Sequence, residues 1–125
     1  MDYFSSRELL GGDAILGVTC HNSKELAFAA AKAGADYVAF GAFFDTPTKT
    51  PKAKAELEIL EWWQEAVEIP CVAIGGITVD NAKSVIQAGA DFIAVSSGVW
   101  DHPDGPAMAV SHFSQLCAAH TPSRP

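Results

Sequence analysis

Short, nearly continuous apolar runs alternate along this chain with longer amphipathic stretches. Ala14–Val18, Asp36–Phe40, Pro70–Ile74 and Asp91–Val95 are the apolar runs. Continuous apolar character over so few residues suits strands of a parallel sheet rather than half-exposed hairpin strands. Between them the pattern predicts helices: Ser5–Leu10 stopped by Gly11-Gly12, a segment capped by Asn22 or Ser23 and ending near Lys32, Ala55–Val67, Val79–Ala88 with Thr78 as cap, and Pro106–Ala119. Leu57, Leu60 and Val67 are expected on the core face of the third of these, and Trp62 and Trp63 cannot both share it.

Strand, loop and helix therefore recur in one order, and small or polar residues collect where strands end: Thr19-Cys20-His21, Thr46-Pro47-Thr48-Lys49, Gly75-Gly76-Ile77-Thr78 and Ser96-Ser97-Gly98. Strand C-terminal ends are where α/β proteins build their sites. Glycines and hydroxyls there let backbone N–H groups approach a phosphate, and Lys49 can balance its charge. Ala-Gly-Ala-Asp occurs at residues 33–36 and again at 88–91, each time before an apolar run, as stacked βα units would repeat it. The expected fold class is α/β, with parallel βα units of a (βα)8 barrel; an open flavodoxin-like sheet is the alternative. Only four strands are visible in 125 residues, whereas a closed barrel usually takes about 250. The reading is thus the C-terminal half of a barrel over 1–120 and a flexible tail over 121–125.

Composition narrows the partners. Fifteen acidic residues against eight Lys and Arg give a formal charge of −7, which disfavours general binding to nucleic acid or anionic membranes. No segment approaches the ~20 apolar residues of a membrane span, and Cys20, Cys71 and Cys117 lack metal-site spacing, so reduced thiols and a cytoplasmic location are expected. Cys71, inside an apolar run, reads as core. His21 ends a strand and is the tempting general base, but a cap or loop hydrogen bond is the favoured reading. Gly75-Gly76 serves either as a tight turn or as a phosphate cradle, and Lys49 either as a solvated charge or as a ligand contact.

With these motifs in hand, the chain resembles the thiamine phosphate synthase family from about Arg7 to Trp100. The likeness rests on Ile15–His21, on Gly34–Val38 with Thr46–Lys49, on Ala73–Thr78 with Asn81-Ala82, and on Ala88–Asp91. It implies a reaction joining hydroxymethylpyrimidine pyrophosphate to thiazole phosphate, with Mg2+ assisting pyrophosphate departure. By position it implies substrate contacts from Thr46, Pro47, Thr48, Gly76, Ser96 and Ser97, the last three at the phosphate, and catalytic roles at the pyrophosphate for Lys49 and Thr19. Thr19 stands where the family usually has serine. No residue here matches the family's magnesium carboxylates, so no metal ligand is assigned and the chain alone is expected to be impaired or inactive. The alternatives are a thiazole tautomerase-like enzyme, or a non-catalytic phosphate-binding half-barrel that pairs as a homo-oligomer or with a complementary half.

Overall fold

In the computed structural model, which describes residues 3–44 and 54–120, four strands form one parallel sheet in the order β1-β2-β3-β4. They are β1 (Gly17–His21), β2 (Tyr37–Phe40), β3 (Cys71–Ile74) and β4 (Phe92–Ala94). The helices are α1 (Tyr3–Leu10), α2 (Lys24–Ala33), α3 (Leu57–Ala66), α4 (Ala82–Ala88), α5 (Ser97–Trp100) and α6 (Pro106–His120). Strand order equal to chain order is what successive right-handed crossovers produce. It places residues 19–21, 75–78 and 96–98 at one end of the sheet. Residues 46–49 lie outside the described residues.

One sheet face carries the core. Cys20, Val38, Phe40, Cys71 and Ala73 are buried there with Ala27 and Ala30 of α2, Ile59, Leu60 and Trp63 of α3, and Val85 and Ile86 of α4. The other face holds the alternate positions Thr19, Ala39, Val72 and Phe92, which the strand register aligns in one row. This face is partly bare: Phe92 is 61% exposed and Ile74 43%.

Several local expectations need correction. The first strand runs three residues later than Ala14–Val18, and Thr19-Cys20-His21 belong to it. The Asp36 carboxylate accepts the Leu16 N–H at 2.7 Å and so fixes the strand's start. Ile15, outside the ladder, is left 82% exposed. Gly17 is required because the Tyr37 ring lies where its Cβ would be. On α3 the core face is Ile59, Leu60 and Trp63, whereas Leu57 is exposed. Trp63 donates its indole N–H to the Ile69 carbonyl at 2.8 Å. Trp62 packs edge-on against Phe28, with the Lys24 ammonium 4.9 Å from its ring centre. The fourth helix begins at Ala82 rather than Val79, because Thr78 uses its carbonyl, not its hydroxyl, to accept the N–H groups of Asn81 and Ala82. For α2 the cap is Ser23, whose hydroxyl accepts the Leu26 N–H. The pattern of the sequence does not predict the four-residue turn α5.

The Ala-Gly-Ala-Asp repeat has a structural meaning. Gly34 and Gly89 end α2 and α4 in the left-handed conformation, at φ 97° and 118°. Two residues further on, Asp36 and Asp91 each accept the backbone N–H that opens the neighbouring strand: Leu16 before β1, and Cys71 of β3 at 2.9 Å. The same device thus starts two strands.

Candidate functional site

The loops at the C-terminal strand ends are built mainly by backbone packing. Gly75 and Gly76 follow β3 with φ of 104° and 67°, a region that favours glycine. A Cβ on Gly75 would sit 2.6 Å from the Ala42 Cα, so the β2 and β3 exit loops touch through their main chains. Phe43 and Phe44 donate their N–H groups to the carbonyls of Ile74 and Gly75, at 3.3 and 3.1 Å. Ala55 N–H reaches the Ala42 carbonyl at 2.8 Å and ties together the flanks of residues 45–53. Thr46, Pro47, Thr48 and Lys49 fall within that interval and outside the described residues.

Asn81 holds the glycine loop from behind. Its Nδ2 donates to the Gly76 carbonyl at 3.0 Å, and its Oδ1 accepts the Thr78 N–H at 2.8 Å. Both main-chain groups of the turn are thereby fixed before any ligand arrives. Ile77 is buried, and its carbonyl abuts the Cα of Gly98, where a Cβ would collide with it. The loop after β3 and the turn Ser96-Ser97-Gly98 after β4 are therefore in contact. Ser96 and Ser97 are exposed and Gly76 is half-buried, so the candidate phosphate residues come together with their polar groups accessible. Thr19 is exposed on the bare face of β1, two strands away from Gly76.

His21 is exposed and sits in the left-handed region at φ 54°, where the β1–β2 register shifts. Asn22 accepts the Glu56 N–H at 3.2 Å and joins the β1 exit to the start of α3. Burial pushes the neighbouring Cys20 thiol up to about 11, so it stays protonated and inert at neutral pH. None of the three cysteines is in a disulfide. Among the described residues no three His, Cys, Asp or Glu side chains gather to hold a metal.

Asn22 and Asn81 are not among the expected site residues. Asn81 carries a readable signal, an amide five residues after a glycine in a strand-exit loop, placed to close an Asx-type turn.

A parallel βα sheet with glycine and serine loops packed together at its C-terminal end defines an α/β protein of the strand–helix class. Within that class, residues 1–99 match the thiamine monophosphate synthase family (TMP-TENI). The chain belongs to this family. It is similar to the thiamine-phosphate synthase of Rhodospirillum centenum, 62% identical over 114 residues that make up 91% of this chain and 55% of the relative. The enzyme of the same name from Hyphomonas neptunium is 61% identical over 112 residues, 90% of this chain and 51% of that one. Among solved structures, thiamine phosphate pyrophosphorylase from Pyrococcus furiosus superposes with a TM-score of 0.81 at 36% identity, over 95% of this chain and 55% of the other. The chain thus spans about half the length of the curated relatives it matches.

Proposed function

We propose that this chain carries the thiazole phosphate side of a thiamine phosphate synthase site, in the C-terminal half of a (βα)8 barrel. One observation supports this most: the Gly76 loop, pinned by Asn81, and the Ser96-Ser97 turn meet through Ile77 and Gly98 at the C-terminal end of the sheet. Backbone N–H groups and the two serine hydroxyls would take the phosphate oxygens there, with no conformational search left to perform.

In the proposed reaction the bond between the pyrimidine methylene carbon and the pyrophosphate oxygen breaks, and its electron pair leaves with pyrophosphate. The thiazole nitrogen lone pair then forms the new carbon–nitrogen bond. Negative charge grows on the leaving oxygens, so Lys49 and the Thr19 hydroxyl are assigned to that group as cation and donor. Thr46, Pro47 and Thr48 are assigned to the thiazole phosphate from the loop whose flanks Ala42 and Ala55 close. Holding the thiazole by its phosphate fixes where its nitrogen points, which is the positioning such a bimolecular step needs. Both curated relatives are named thiamine-phosphate synthases, which favours this reaction over the tautomerase alternative. No described helix is long and apolar enough to cross a membrane, and with its three cysteines outside any disulfide a cytoplasmic setting is the one we assign.

The test is a calorimetric comparison of thiazole phosphate with the thiazole alcohol. Binding should require the phosphate and should vanish in Gly76→Asp, whose carboxylate would face the anion. Equal binding of the alcohol, or an unchanged response in the variant, would overturn the assignment.

A further inference from the structure

We propose that Asn81 is the positioning residue of the phosphate site: its single side-chain amide fixes the Gly76 loop and the seat of the Ser96-Ser97-Gly98 turn at once, and so sets how tightly an anion is held between them. The inference rests on the phosphate site proposed above and adds to it a residue that itself touches no ligand. A main-chain N–H serves an anion best when the peptide planes on either side of it are already held. Before Gly76, the Gly75 carbonyl accepts the Phe44 N–H at 3.1 Å, and the planar trans peptide then turns the Gly76 N–H the opposite way. That N–H has no acceptor among the described residues. After Gly76, a side chain does the holding: Asn81 Nδ2 donates to the Gly76 carbonyl at 3.0 Å.

The other end of the same amide reaches the second loop. Asn81 Oδ1 accepts the Thr78 N–H at 2.8 Å and so fixes the Ile77–Thr78 peptide, whose carbonyl is the oxygen on which Gly98 is seated. Among the described residues no other side chain hydrogen-bonds to residues 75–78. Gly76 needs the restraint, because at φ 67° and without a Cβ it has many other conformations open to it. Unheld, that freedom would be lost only on binding, at a cost in affinity. Asn81 also forgoes the usual use of its amide. It stands at the start of α4, where an asparagine side chain commonly accepts an N–H of the first turn, yet it makes no such bond. Its main chain is anchored instead, the N–H donating to the Thr78 carbonyl at 3.2 Å and the carbonyl accepting the Ser84 hydroxyl at 2.9 Å. The side chain is thereby aimed back at the loop from a fixed base.

The test is an NMR titration with inorganic phosphate of the 125-residue chain, of Asn81→Ala and of Asn81→Asp, at a temperature where circular dichroism shows each one folded. Asn81→Ala removes both bonds; Asn81→Asp keeps the acceptor for the Thr78 N–H and sets a carboxylate oxygen against the Gly76 carbonyl. Affinity should fall about tenfold in Asn81→Ala and further in Asn81→Asp, the scale on which groups that orient a ligating group usually act. A lower melting midpoint with unchanged affinity in the folded variants would make Asn81 merely structural and overturn the proposal. A loss in Asn81→Asp with none in Asn81→Ala would be the effect of added charge alone and would overturn it too. The unmodified chain supplies a measurement that no variant's folding can disturb: the Thr78 amide should exchange slowly before phosphate is added, and protection that arises only with phosphate would contradict a site held ready by Asn81. If the unmodified chain shows no response at residues 75–77 and 96–98, the phosphate reading itself fails and this inference with it. Binding there that Asn81→Ala leaves intact overturns this inference alone.

Discussion

The two ends of the sheet are built from different materials. Where the strands begin, side-chain carboxylates do the fastening: Asp36 holds Leu16 and is paired with Arg7, and Asp91 holds Cys71. Where they finish, fastening is done by main chain against main chain, at Gly75 on Ala42 and Gly98 on Ile77, with Asn81 as the clamp. The carboxylates use up the N–H groups at the first end. At the second, glycines bring the loops close without filling the space above them, and hydroxyls stay at the surface. The difference separates an end whose backbone donors are committed from the end that carries the binding role proposed above, as in other strand–helix architectures whose sites lie at strand C-termini.

The largest effect should come from breaking the glycine end. Gly75→Val combines a left-handed φ of 104° with a Cβ driven into Ala42. It should cost about 3 kcal/mol, read as a lower urea midpoint with an unchanged slope. A loss below about 1 kcal/mol would mean the β2 and β3 exit loops separate easily, and that the glycine end is not prearranged.

The carboxylate end should show a smaller, pH-dependent effect. The hydrogen bond from the Arg7 guanidinium, followed by the Leu16 N–H, holds the Asp36 carboxyl below its usual value. A depressed folded-state value stabilises the fold above the unfolded value, near about 3.9, and the contribution is lost as pH falls through the folded one. Because the pair is exposed, screening keeps it weak. Asp36→Asn should lower the thermal midpoint slightly at neutral pH, and the gap from the unmodified chain should close as acid is added. A gap that stays constant down to acid pH would show that the ion pair contributes nothing.

The contrast between the two ends also explains what the sequence alone could disclose. Strand and helix alternation, the Gly75-Gly76 loop and the Cys71 core position are local signals of periodicity or composition, and the structure agrees with each, whereas Ser97, expected in a loop, opens α5. Periodicity misplaces the first strand because Ala14-Ile15-Leu16 is as apolar as the strand itself. Only a long-range bond from Asp36 stops the ladder at Gly17. The aspartates of the repeat are visible as a pattern, but their partners lie 20 residues earlier in each case, beyond any local period. Asn22 reaches α3 across 34 residues, and the choice of Trp63 over Trp62 for the core depends on where Phe40 comes to lie. Residues 46–49, legible as a motif, lie outside the described residues, so their part in the site rests on the resemblance.

The most direct test of the division between a binding end and a fastening end is an amide chemical-shift map of the folded chain titrated with inorganic phosphate. The amides of residues 75–77 and 96–98 should move together and saturate at one affinity, while Leu16 and Cys71, whose N–H groups are committed to Asp36 and Asp91, stay still. Shifts spread evenly over both ends, or none at residues 75–77 and 96–98, would contradict it.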